Sequence, residues 1–321
     1  MVRDDASWLA AAARLAERGR PLSLPNPAVG ALLVKERRVV GRGWTQPGGR
    51  PHAEAVALER AGGEADGATL YVTLEPCAHQ SPRGPSCADL LAEAGVARVV
   101  YGQLDPDPRT TGRGVTRLQA AGVAAEQLSC EASTASLAGY LCRKERGRPF
   151  VTLKLAASLD GRIALPDGRS EWITGGPARA HVHAQRARQD AILVGGGTWR
   201  ADRPRLDVRL PGLEDRSPRR LVLTREEVPD GVTALREPED IFGLHEQYLY
   251  IEGGAQTAAA FLRAELVDRL DIYRAPIIIG AGLAAVGDFG VDELARAHGL
   301  WRLTERRELG SDLYEAYERN R

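Results

Sequence analysis

His52, Glu54, Cys77 and Cys87 are the residues of this chain whose types and spacing could do chemistry. The first two sit in Pro51-His52-Ala53-Glu54. Cys77 closes Glu75-Pro76-Cys77, and residues 78–86 separate it from Cys87. One imidazole and two thiolates fill three positions of a tetrahedral zinc and leave the fourth for water. A metal so held lowers the pKa of that water, and hydroxide forms near neutral pH. Glu54 stays free to carry a proton from the water to a departing nitrogen, which is chemistry for removing an amine from a ring carbon. The bland alternative makes both cysteines small buried hydrophobes and His52 a surface residue. It explains each residue alone better than it explains all of them together.

The elements that must position these groups are readable around them. Residues two apart on a helix point to nearly opposite sides. His52 and Glu54 therefore converge only if His52 stands at the helix edge, where Pro51 is at home. The helix then runs Ala53 to Ala61, stopped by Gly62-Gly63. Ser86-Cys87-Ala88-Asp89 reads as a capping box opening a helix over 88–94, with Gly95 as its stop. A thiol in such a first turn has its thiolate favoured by the helix dipole. Leu70 to Leu74 reads as a buried strand delivering Cys77.

The remaining chain alternates strand and helix, which implies layered α/β architecture. Helices are expected at 7–18, 114–121, 177–188 and 255–262. Further strands are expected at 28–34, 39–44, 96–101, 150–156, 191–194, 220–223, 248–251 and 267–273. The polar run Arg143 to Arg148 and Gly147-Arg148-Pro149 place a domain boundary, giving units 1–147 and 148–321. In the second unit two strands run into glycines, at Gly195-Gly196-Gly197 and at Gly253-Gly254. Such turns let phosphates approach backbone N–H groups, although most are only tight turns. Neither is a G-x-G-x-x-G fingerprint.

Composition narrows the function. The 321 residues suffice for two domains, and 43% hydrophobic with 27% charged suits a globular protein. Lys plus Arg equals Asp plus Glu at 43 each, which argues against a nucleic-acid partner. Of four cysteines, Cys130 and Cys142 are isolated and read as buried thiols, so the expected compartment is a reducing cytoplasm. The acidic Met1 to Asp5 is unlike a signal peptide. The apolar run 277–287 is too short and glycine-rich to cross a bilayer, so no membrane partner is expected.

Taken in order, the motifs resemble the bifunctional deaminase/reductase family of riboflavin biosynthesis. The first half matches at Pro25-Asn26-Pro27-Ala28-Val29-Gly30, Pro51 to Glu54, Thr73 to Cys77 and Asp105-Pro106-Asp107-Pro108. The second matches at Leu153 to Ala156, Ser158 to Arg162, Trp172 to Gly175, Asp190 to Thr198, Ala201-Asp202, Glu252 to Gly254 and Leu266 to Asp268. The deaminase motif alone is widely shared, whereas the tandem is specific. The resemblance implies an α/β fold: a cytidine-deaminase-like three-layer domain followed by a dihydrofolate-reductase-like domain. It implies a phosphoribosylaminopyrimidine substrate that loses its 2-amino group and whose ribosyl group is then reduced with NADPH. It implies Zn2+ at His52, Cys77 and Cys87, Glu54 as proton shuttle and Asn26 on the pyrimidine. Ala156, Trp172, Thr198, Asp202 and Gly254 would face NADPH, with Asp202 also orienting the sugar. Ser170, Arg186, Leu206, Arg209 and Glu252 would face the sugar phosphate. Lys154 and Asp160 are left open between structural and catalytic roles. A homo-oligomer, dimer or larger, is also implied.

This chain departs from the family pattern in places. Thr45 stands where the pattern has a histidine. Ser81 to Ser86 is one residue longer than usual, and Arg83 is a candidate replacement for the usual polar contacts there. Asp202-Arg203-Pro204 replaces Asp-Asp-Pro, and the stretch from Arg209 to Glu252 is short enough to lack a strand or helix. The competing readings are a deaminase of another nucleobase or nucleoside with a degenerate second half, and a non-catalytic zinc scaffold. An unligated Glu54 argues against the scaffold. An RNA-editing role is disfavoured by balanced charge and by the lack of an aromatic-basic cluster.

Overall fold

The computed structural model describes residues 4–79 and 84–321. Ser81 to Arg83 of the lengthened loop lie outside the described residues. Contacts divide the chain into two units, Met1–Gly147 and Arg148–Arg321.

In the first unit the order is α1 (Asp5–Ala16), β1 (Gly30–Lys35), β2 (Arg38–Trp44), α2 (Ala53–Ala61), β3 (Thr69–Leu74), α3 (Cys87–Glu93), β4 (Arg98–Gln103), α4 (Arg113–Ala120), β5 (Ala124–Gln127), α5 (Glu131–Ser136) and α6 (Ala138–Arg146). The sheet runs β2-β1-β3-β4-β5. β1 is antiparallel to both its neighbours, and β3, β4 and β5 are parallel. Period-2 alternation splits β1 between two cores. Ala31 and Leu33 pack with Ala53 and Ala57 of α2, Leu91 of α3 and Leu118 of α4. Leu32 and Val34 pack with Trp8 and Ala12 of α1 on the other face. Helices therefore cover both faces of the sheet, which makes three layers.

In the second unit the order is β6 (Phe150–Ala157), β7 (Arg162–Ala164), α7 (Gly176–Arg186), β8 (Ala191–Gly195), α8 (Gly196–Asp202), β9 (Arg219–Leu223), β10 (Val232–Leu235), β11 (Tyr248–Ile251), α9 (Ala255–Arg263), β12 (Arg269–Arg274), β13 (Leu283–Ala284), α10 (Leu294–Ala297), β14 (Trp301–Leu309) and β15 (Asp312–Arg319). The main sheet runs β10-β9-β8-β11-β6-β12-β15-β14, and a small pair joins β13 to β7. β10 through β12 are parallel and the last two strands antiparallel. The central parallel strands β8 and β11 are buried on both faces, as this architecture requires. Ala191 and Leu193 face the α9 side, Ile192 and Val194 the other. Beside the sheet, Arg148 is fully buried and forms a two-pronged ion pair with Asp268 at 2.6 and 2.9 Å.

Several expectations change. Arg143 to Arg146 of the polar run at the boundary form the end of α6, a helix the sequence did not suggest, and Gly147 caps it in the left-handed region. The short 209–252 stretch still holds β9 and β10. These parallel neighbours are joined through residues 224–231 without the helix that usually carries such a crossover. Cys130 is half-buried rather than buried, and Cys142 is buried.

Candidate functional sites

His52 is the N-cap of α2, so its ring leaves the helix axis while Glu54 lies within the first turn. Cys87 is the first residue of α3, where Ser86 caps the helix by accepting from the Asp89 N–H at 3.2 Å. Cys77 follows β3 on the neighbouring loop. These three elements bring one imidazole nitrogen and two sulfurs within 4.8 Å of one another. His52 Nδ1 lies 3.3 Å from Cys87 Sγ and 3.6 Å from Cys77 Sγ. Zinc bonds of about 2.0–2.3 Å at tetrahedral angles separate ligand atoms by roughly 3.6 Å, so the donor set fits zinc in both type and spacing. The hydrogen bond from Cys87 pulls the Cys77 thiol well down, helped by His52. That same bond and full burial push Cys87 up. The pair thus shares a proton that a metal would displace.

Glu54 is 3% exposed. Burial raises its carboxyl, partly offset by His52. It lines a cavity of about 360 Å³ with His52, Cys77 and Asn26. Asn26 Nδ2 donates to Gly49 O at 2.8 Å and lies 3.2 Å from His52 Nε2, so the residue steadies the ligand ring as well as facing the cavity. Thr45 also lines the cavity, but its hydroxyl accepts from the Val29 N–H at 2.9 Å and pins the Asn26 loop.

Glu75 is a positioning residue that motif reading left without a role. Its carboxylate accepts from the N–H groups of Gly112 (3.1 Å), Gly114 (3.0 Å), Val115 (3.3 Å) and Asp105 (3.4 Å). It thereby ties the start of α4 and the loop after β4 to the Cys77 loop. A Cβ on Gly114 would stand 2.0 Å from Pro76 O, so only glycine allows this approach. Asp105, Asp107, Arg109, Tyr140 and Lys144 also line the cavity. The Asp105 to Pro108 motif was a visible signal for the first two. Tyr140 and Lys144 arrive on α6, which carried none.

The second unit holds a cavity of about 430 Å³. Its lining brings together Ala156, Ser170, Trp172, Arg186, Thr198, Asp202, Arg209, Glu252 and Gly254. Leu206 is the exception: its side chain is buried in the core with Ile192, Val194, Val222 and Tyr250, because β8, β9 and β11 need an apolar cover there. Glu252 is gripped by Arg186 Nε and Nη2 at 2.6 and 3.1 Å and by Lys154 Nζ at 3.5 Å. Burial alone would raise its carboxyl, yet these two cations hold it down at about 2. Lys154 thus has a defined partner at this cavity. Asp160 lies away from the lining, accepting from Ser158 Oγ at 2.5 Å and from the Ile279 and Gly280 N–H groups at 3.1 and 2.7 Å.

The glycine turns divide by role. Gly195 and Gly253 are packed against Thr257, where a Cβ would come within 2.1 and 2.6 Å of its side chain. Gly197 and Gly254 open onto the cavity instead. A Cβ on Gly197 would meet nothing within 4 Å, and one on Gly254 only Thr198 Oγ1 at 3.7 Å. That free space beside backbone at the carboxyl ends of parallel strands suits a dinucleotide.

Among the described residues, no helix is long and apolar enough to cross a membrane. Residues 2–103 match the cytidine and deoxycytidylate deaminase zinc-binding region, and residues 149–314 match the RibD C-terminal domain. The riboflavin biosynthesis protein RibD of Escherichia coli strain K12 is 38% identical, over 96% of this chain and 98% of its own length. Its namesake from Aquifex aeolicus is 35% identical over 99% and 100%. Among solved structures, form 1 of Acinetobacter baumannii RibD superposes with a TM-score of 0.86 at 34% identity, covering 99% of both chains. A Thermotoga maritima diaminohydroxyphosphoribosylaminopyrimidine deaminase/5-amino-6-(5-phosphoribosylamino)uracil reductase gives 0.86 at 29%, covering 98% of this chain and 99% of its own.

Proposed function

This chain belongs to the family of bifunctional riboflavin-biosynthesis deaminase/reductases, and from that premise we propose which of its residues carry each reaction. It is a zinc-dependent deaminase and an NADPH-dependent reductase, a cytidine-deaminase-like domain followed by a dihydrofolate-reductase-like one. The domains are residues 1–147 and 148–321, a division that the pattern of contacts supports.

The first reaction removes the 2-amino group of 2,5-diamino-6-(5-phosphoribosylamino)pyrimidin-4(3H)-one. His52, Cys77 and Cys87 would hold zinc, which would supply the Lewis acid that makes a water nucleophilic near neutral pH. Glu54 takes that water's proton and delivers it to the departing nitrogen, so the ring carbon exchanges its C–N bond for C–O and ammonia leaves. Its burial beside His52 suits it to accept a proton. Asn26 holds the His52 ring and presents its amide to the pyrimidine.

NADPH supplies the hydride of the second reaction, which turns the ribosyl group into ribityl. Ala156, Trp172, Thr198, Asp202 and Gly254 face the cofactor. Ser170, Arg186 and Arg209 face the sugar phosphate, Glu252 fixes Arg186 and Lys154, and Asp202 orients the sugar. Their shared lining of one cavity supports the assignment.

The single observation that carries the deaminase reading is the buried, unligated Glu54 beside a zinc-fitting donor set. The test supplies the diaminopyrimidinone to zinc-loaded protein with and without NADPH and follows product masses. Deamination without NADPH and a further gain of two hydrogens with it is the expected result. Glu54→Gln should cost roughly 10²–10⁴ in the first step alone. Full activity in that variant would sink the mechanism.

The protein works in the cytoplasm, a reading supported by its four free cysteines, which form no disulfide framework. It assembles as a dimer or larger, supported by exposed Leu159, Ile277 and Ile278 on neighbouring segments of the second unit. Sedimentation at micromolar concentration checks this, and a single-chain mass would count against it.

A further inference from the structure

Arg109 and Lys144 line the deaminase cavity but have no part in the steps above. They come from different elements, Arg109 from the loop after β4 and Lys144 from α6. Asp107 holds both. Arg109 Nε and Nη2 donate to its carboxylate at 2.9 and 2.7 Å, and Lys144 Nζ donates at 3.0 Å. Lys144 Nζ also lies 5.7 Å from the centre of the Tyr140 ring. Tyr140 is itself anchored, its Oη donating to Asp105 Oδ1 at 2.7 Å. The same Asp105 oxygen accepts from the Asp107 N–H at 2.9 Å. The cations are therefore fixed from both sides.

Asp107 takes both cations by itself, because the oxygen that Asp105 turns to this cluster is engaged by Tyr140 Oη and the Asp107 N–H. A structural pair would need one cation, and half-exposed pairs contribute little stability in any case. Depth places the charge with respect to the chemistry. The Arg109 and Lys144 side chains are 69% and 36% exposed, whereas Glu54 is 3% exposed. A substrate whose amine-bearing carbon lies beside Glu54 turns its remaining length towards the mouth, where the cations stand. Among the described contacts Arg109 uses Nε and Nη2, which leaves Nη1 for a ligand. Guanidinium and ammonium are the side-chain donors suited to phosphate.

We propose that Arg109 and Lys144, aimed by Asp107, bind the 5′-phosphate of the substrate during deamination and set the preference for a phosphorylated pyrimidine. This rests on the deaminase reading above. The test compares the phosphorylated substrate with its phosphate-free ribosylamino counterpart on the zinc-loaded full chain. Lys144→Met and Arg109→Gln are introduced singly and together. The preference for the phosphorylated substrate, as a ratio of kcat/KM, should fall roughly 10- to 100-fold per substitution, carried by KM. Lys144→Arg should restore most of it. An unchanged ratio, or an equal loss on both substrates, overturns the proposal.

If the parent protein deaminates neither compound, the deaminase reading itself fails. The subsite is then read by calorimetric titration with ribose 5-phosphate in an Arg186→Ala, Arg209→Ala background, which removes both cations assigned to the phosphate in the second unit. Heat that disappears on adding the two substitutions upholds the proposal. Heat that persists, or none in the parent, overturns it.

Discussion

Glu54 is buried and Glu252 half-buried, and their surroundings drive the two carboxyls in opposite directions. Burial raises Glu54, with His52 opposing only in part. Glu252 is also largely enclosed, its side chain 10% exposed, but Lys154 and Arg186 hold it at about 2. One is poised to take up a proton; the other is a fixed charge that orders two cations. The difference has a consequence for stability. Glu252 titrates near 4.3 in an unfolded chain, so its depressed folded value stabilises the second unit fully above that pH. The contribution is lost as pH falls from about 4.3 through about 2. Melting of the full chain followed between pH 6 and 2 should show the loss, at most about 3 kcal/mol, and Glu252→Gln should remove that part of the pH dependence. An identical pH profile in the variant would contradict the ion-pair account. At this scale the sequence is most legible where chemistry dictates residue type, as at His52, Cys77 and Cys87. Leu206 was not legible, because nothing in a sequence tells a side chain that meets a ligand from one that closes a core beside it.

Glu75 and Gly114 make the deaminase site a property of elements rather than of motifs. The Glu75 carboxylate gathers four backbone N–H groups, and the bare Gly114 lets α4 touch the loop that bears Cys77. Gly114→Ala, with its Cβ 2.0 Å from Pro76 O, must push α4 and that loop apart. We expect a loss of roughly 1–3 kcal/mol of stability together with weaker zinc retention, measured by thermal melting and by metal content after dialysis. Unchanged metal content would show that the Cys77 loop does not depend on this contact. Elements with a clear hydrophobic period, such as α1, α2, β3 and β8, were legible. α6 was hidden by its run of charges, Arg143 to Arg146, and β14 by a burial pattern that is almost wholly exposed. The short stretch keeps both strands, joined through 224–231 without a helix.

At the scale of the whole molecule, each cavity is lined by residues of one unit only. Removing the metal should therefore separate the activities. Dialysis against a chelator should abolish deamination, and zinc should restore it. Reduction of already deaminated substrate should change less than about twofold, within the error of such assays. Parallel loss of both activities would mean that the units depend on one another. The tandem order was legible because two independent motif sets succeed each other. What the motifs left out was where the first unit ends chemically. Its last motif closes at Pro108, yet Tyr140 and Lys144 line its cavity from α6, just ahead of Gly147. A gene carrying the deaminase by itself would have to be read through α6 before its stop codon. Recombination that exchanged the two halves would preserve both activities only with its breakpoint in the narrow window at Gly147 and Arg148.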